Sequence, residues 1–104
     1  MALETLVLPK SVYSVLRRLT GETRPDVALS MALKDLVRLR LEAVEAKQAS
    51  LEKKYGQTFA AFAEAWQRGA IPETHSYTVE KDYWEWEAAI TDGQVLRELA
   101  ESLA

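Results

Sequence analysis

The sequence predicts a mainly α-helical, dimeric protein: a short N-terminal strand, a short helix, one long helix and two further helices. Three observations carry this expectation. Neither proline nor glycine interrupts the chain between Pro25 and Lys54. Apolar residues recur there every three or four positions, which is the helical period. Outside that run, turn-forming residues fall between periodic segments: Pro9, Gly21, Gly56, Gly69 and Pro72.

Residues 3–8 read Leu-Glu-Thr-Leu-Val-Leu, followed by Pro9. Proline biases Leu8 toward extended backbone, so a short strand is expected. A lone strand leaves its backbone groups unpaired and needs another strand or another chain. Residues 10–20 form the first helix, with Val12, Val15, Leu16 and Leu19 at helical spacing and Gly21 as a left-handed cap. Thr23 is the expected N-cap of the long helix, Asp26 the acid three positions on, and Pro25 suits its first turn.

The long helix spans roughly 28 residues, or about 42 Å. Leu29, Ala32, Leu36, Leu39, Ala43 and Ala46 alternate spacings of three and four, the seam of a helix pair. Leu33, Val37, Leu41, Val44 and Leu51 widen the apolar surface. The seam must pack on later helices or on a second copy.

Gly56 ends this helix. Thr58 caps a shorter one over residues 59–68, with Phe59, Phe62, Ala63 and Trp66 on one face. A connector leads to a last helix starting near Ser76 or Thr78. Around its axis Tyr83, Trp86 and Ile90 lie within roughly 40° of Val79, and Tyr77, Trp84, Ala88, Val95 and Leu99 form an opposite stripe. A helix apolar on both sides is sandwiched: one stripe faces a core, the other a partner. Tyr83 and Trp86 read more readily as core, and Trp84 as the interface residue. Asp92-Gly93 is a point where this helix kinks or breaks.

Charge divides the chain. Residues 1–54 carry ten basic and seven acidic side chains, and residues 55–104 carry three and nine, so +3 and −6. All three tryptophans and both phenylalanines fall in residues 54–90, among acidic side chains. Aromatics supply large contact area at small entropic cost, and surrounding carboxylates attract a basic partner. The expected organisation is a dimerisation half over residues 1–54 and an acidic, aromatic partner-binding half over residues 55–104. Solvated helix faces of unequal charge would give the same counts.

Catalytic chemistry finds little support. His75 is the only histidine and there is no cysteine, so neither a disulfide framework nor a metal site with further clear ligands is expected. Glu85 and Glu87 point to different helix faces. Glu80 and Glu87 share a face, but as a solvated rim. The glycines form no phosphate-cradling array, and the serines lack a base partner. No enzyme activity, catalytic residue or cofactor is expected. With no signal peptide and no apolar run of about 18 residues, no membrane partner is expected and a cytoplasmic protein is.

The first half resembles the ribbon-helix-helix family. The matching residues are Thr5-Leu6-Val7-Leu8-Pro9-Lys10-Ser11-Val12-Tyr13, Leu16, Leu19, Gly21-Glu22-Thr23 and the apolar helix from Val27 to Leu41. The resemblance implies that two chains pair their strands and that alternate strand residues enter the DNA major groove. Carried over by position, Thr5 and Val7 face DNA, the amides near Thr23 and Arg24 hold a phosphate, and Lys10 joins this surface. Leu6, Leu8, Leu29, Leu36 and Leu39 are the dimerisation residues. The departures are a strand face without Lys or Arg, Pro25 lacking an amide donor, Asp26 at the phosphate position, and an unusually long second helix.

The second half carries Lys54-Tyr55-Gly56, Phe59, Phe62, Trp66, Gly69, Ile71-Pro72, Ser76-Tyr77 and Val79-Glu80 through Asp82-Tyr83-Trp84-Glu85-Trp86-Glu87. It resembles small uncharacterised proteins of cyanobacteria and archaea, some regarded as type II antitoxins. What this implies is N-terminal dimerisation with operator DNA binding, and C-terminal capture of a basic cognate toxin. The partner-binding residues expected are Trp66, Tyr77, Glu80, Trp84, Glu85 and Glu87. The alternative is a structural oligomerisation or scaffold protein without DNA binding.

Overall fold

The computed structural model describes residues 6–104. It holds four helices, α1 (Lys10–Thr20), α2 (Pro25–Tyr55), α3 (Phe59–Gln67) and α4 (Tyr77–Ser102). The strand expected over residues 3–8 lies partly outside the described residues. Over residues 6–9 the backbone has no regular secondary structure within the single chain.

Local chemistry explains most boundaries. Gly21 closes α1 at φ 73°, its N–H donating to the Arg17 carbonyl at 2.8 Å. Gly56 closes α2 the same way, with φ 66° and an N–H bond to the Glu52 carbonyl. Thr58 and Ser76 cap α3 and α4, their hydroxyls accepting from the amides of Ala61 and Val79. The start of α2 departs from expectation: Arg24, not Thr23, is the N-cap, and no side chain bonds the first turn. Pro25 is the first helical residue and pushes its predecessor to extended backbone, so Thr23 stands one position too early.

α2 is 31 residues long, about 46 Å, and it organises the molecule. α1 packs on it, and α4 folds back antiparallel along its second half. The antiparallel sense follows from the contacts at each end. The Tyr55 ring lies 6.0 Å from Trp86, whereas Val37 and Leu41 border a groove with Ala100. Between these ends the Gln48 amide donates to the Ala89 carbonyl at 3.0 Å. The α2 stripe facing α4 is therefore Val37, Leu41, Val44, Gln48, Leu51 and Tyr55, again alternating four and three.

Gly93 does not break α4, which runs unbroken through it. It is buried where the helices approach closely: a Cβ there would lie 3.2 Å from Gln48 Nε2 and 3.4 Å from Val44 Cγ1. The core sits at the α3 end and joins Leu51, Phe62, Ala65, Ile71, Val79, Tyr83 and Trp86. Because Leu51 belongs to it, the second half of the chain shares its core with the end of α2.

Phe62 and Trp86 are fully buried, their ring centroids 5.1 Å apart. Each such side chain contributes roughly 1.5–3 kcal/mol by leaving water. At the other end of the molecule Leu16 and Ala28 are the buried hydrophobic residues among those described. The shape is accordingly long, 56 × 30 × 19 Å, with a radius of gyration of 19.7 Å. A compact domain of this length has about 13 Å.

Candidate functional site

The two stripes of α4 have different fates. Val79, Tyr83 and Trp86 are buried and Ile90 packs beside them, so the Val79 face is the core face. The aromatic density seen in the sequence is mostly this core. Tyr55, Phe59, Phe62, Trp66, Tyr83 and Trp86 form a connected set of ring contacts at 4.5–6.3 Å. Among the described residues the buried Trp86 indole N–H has no hydrogen-bond partner.

On the reverse face Trp84 is 59 % and Tyr77 79 % exposed. The Trp84 and Tyr83 rings meet at right angles with centroids 5.1 Å apart, and Trp84 otherwise leaves most of its surface to solvent. Glu80 and Glu87 lie one turn before and after it on one side, and Val95 and Leu99 extend the exposed stripe along the helix.

The expected partner residues thus separate. Trp84, Tyr77, Glu80 and Glu87 share an accessible surface. Trp66 does not join them: it stacks on Tyr83 at 4.6 Å and packs against the core, half-buried. Glu85 lies on the α2 side of the helix. Lys47 Nζ stands 2.6 Å from its carboxylate and Lys81 Nζ 3.7 Å, and the hydrogen bond from Lys47 holds its carboxyl below the usual range.

Asp82 is a site residue outside the set expected from the sequence. It is buried at the α2–α4 contact, where Lys54 Nζ and the Tyr55 hydroxyl both donate to its Oδ2 at 2.5 Å. Burial pushes this carboxyl up, but the bonds from Lys54 and Tyr55 and the charges of Lys54 and Lys47 outweigh it and hold the group below its ordinary value. Burial, then the bond to Asp82 and its charge, push the Tyr55 phenol well up. The available signal was an acid between Val79 and Tyr83 on the apolar side of the helix.

A second open surface lies on α2. Leu36 and Leu39 are 47 % and 55 % exposed, and Ala43 and Ala46 are exposed too, while Leu29 and Ala32 are half-buried near the α1 end. Leu6 is exposed and Leu8 half-buried, and both border a groove with Tyr13 and Pro25.

Of the residues aligned with DNA contact, Thr5 lies outside the described residues. Val7, Lys10, Thr23 and Arg24 are exposed. At the turn, however, the Arg24 amide donates to Glu22 at 3.1 Å, and the Arg24 guanidinium pairs with Asp26 at 2.9 Å. Glu22 therefore engages one of the amides assigned to a phosphate, and Asp26 the side chain beside it. His75 is exposed in the connector, 3.7 Å from Glu80.

No helix among the described residues is long and apolar enough to cross a membrane. No family model, curated protein or solved structure matches the chain.

Proposed function

We propose that this chain is an antitoxin-like protein-binding module of the cytoplasm. Its N-terminal half pairs with a second copy, and the reverse face of α4 captures a basic protein partner. One observation carries this reading. α4 satisfies its core with the Val79 face and leaves Trp84 and Tyr77 exposed, with Glu80 and Glu87 beside them. An aromatic anchor rimmed by carboxylates is the composition of a protein-binding patch: the ring supplies buried area and the acids steer a cation-rich partner.

Operator DNA contact belongs to this reading only through the resemblance of the N-terminal half. The Glu22 and Asp26 carboxylates at the turn count against a phosphate there. The scaffold reading keeps both protein surfaces and dispenses with DNA. No catalytic step is assigned to the chain.

The test is co-purification with the product of the adjacent gene. Trp84→Ala is expected to weaken capture by roughly 2 kcal/mol or more. Circular dichroism of the free variant should stay that of the wild type. An unfolded variant would place Trp84 in the core, and undiminished capture would place the partner site elsewhere.

A further inference from the structure

The open stripe on α2 has a charge pattern that selects its occupant and the direction of that occupant. Leu29, Ala32, Leu36, Leu39, Ala43 and Ala46 alternate three and four, the same rhythm by which another stripe of α2 holds α4; Leu29 and Ala32 are half-buried, Ala43 also borders α4, and the stripe is open from Leu36 onward. With Leu29 as position a of a heptad, Asp35 and Glu42 fall at g, on one margin of the stripe. Arg40 and Lys47 fall at e, on the other. One margin is acidic and the other basic, each charge seven residues from the next.

We propose that a second copy of this chain occupies this stripe, α2 against α2, parallel and in register. In that arrangement the g position of one helix faces the e position five residues on in the other. Asp35 then meets Arg40 of the second copy, Glu42 meets Lys47, and the two-fold axis repeats both pairs. An antiparallel pair sets e against e and g against g, placing cation on cation and acid on acid, which disfavours that alternative. Ala43 and Ala46 let the backbones approach closely. Residues 6–8, beside Pro25 at the start of α2, come to the same end in both copies.

Some of these charges already have partners. Lys47 is 2.6 Å from Glu85, and Arg38 lies 3.2 Å from Glu42 and 3.7 Å from Asp35. The two Arg38 pairs are exposed and exchange at little cost, whereas Glu85 is half-buried and Lys47 must leave it to reach Glu42. Arg40 makes no ion pair among the described residues, so Asp35 with Arg40 is the diagnostic pair.

The inference rests on the dimer reading above, and cross-linking separates the two. The chain has no cysteine, so single-cysteine variants are clean probes. Leu36→Cys, Leu39→Cys, Ala43→Cys and Ala46→Cys, each oxidised alone in dilute solution, are all expected to yield a covalent dimer of twice the 11.7 kDa chain. Failure of the end positions to link to themselves, with preferential linkage in a mixture of Leu36→Cys and Ala46→Cys, would mean an antiparallel pair. That would overturn the inference and leave the dimer. No linkage in a chain that still sediments as a dimer would place the interface elsewhere and overturn it as well. A monomeric wild type would remove both readings. Independently, Asp35→Arg is expected to weaken the dimer about tenfold at low salt, and adding Arg40→Asp to restore it. Both positions are exposed, so neither substitution threatens the fold. Failure of the second change to rescue the first would contradict the pairing.

Discussion

Asp82 makes the stability of this fold depend on pH at both ends of the scale. Its carboxyl is depressed below the ordinary 3.8, so the stability it contributes is present above that value and is lost as pH falls through its folded pKa. The Tyr55 phenol is raised above the ordinary 10.0, so its contribution is present below that value and is lost as pH rises beyond it. Thermal melts are expected to show a plateau between these limits, and Asp82→Asn to flatten the acid limb. An unchanged acid limb in that variant would mean that the bonds from Lys54 and Tyr55 do not stabilise the fold. The two tryptophans two residues apart make a second contrast. Trp86→Ala is expected to cost about 3–5 kcal/mol of stability, and Trp84→Ala little, read by urea titration. Equal losses would contradict the assignment of faces. Both stripes of α4 were legible in the sequence, because Val79, Tyr83, Trp86 and Ile90 share one angle and Tyr77, Trp84 and Val95 another. Which stripe turns inward was not, since both satisfy the same period. The choice is made by Phe59, Phe62 and Leu51, which come from other elements.

At the scale of elements, the helices were legible because their signals are local. Gly21, Gly56, Thr58 and Ser76 act within one turn of their own position. The partner of each face was less so. α2 carries two stripes of the same rhythm, and α4 takes Val37, Leu41, Val44, Gln48, Leu51 and Tyr55 instead of the stripe that begins at Leu29. Gly93 shows the same limit: its propensity reads as a helix breaker, while its role is close approach to Gln48 and Val44. Gly93→Leu is therefore expected to force α4 away from α2, to break the Gln48–Ala89 bond and to lower stability by about 1–3 kcal/mol. A melting temperature equal to or above that of the wild type would show that the contact is looser than the geometry states. Trp66 and Glu85 illustrate how contacts remote in sequence reassign a residue. Each lies in the aromatic, acidic segment, yet one is drawn to Tyr83 and the other to Lys47 on a different helix.

At the scale of the whole molecule, the two ends differ in what they bury. The aromatic core fixes α3 and α4 to the end of α2. Val12, Val15, Leu19, Met31, Leu33, Leu36 and Leu39 remain exposed at the other end. Among them Leu36 and Leu39 lie on the α2 stripe proposed above to receive a second copy. The claim that this end is covered by a second copy is tested most directly by sedimentation velocity on the wild-type chain at micromolar concentration, beside Leu36→Glu. The expected result is a species of twice 11.7 kDa for the wild type and a folded monomer for the variant, whose new carboxylate would be buried unpaired in the interface. A wild-type chain that sediments as a well-folded 11.7 kDa monomer would contradict the account.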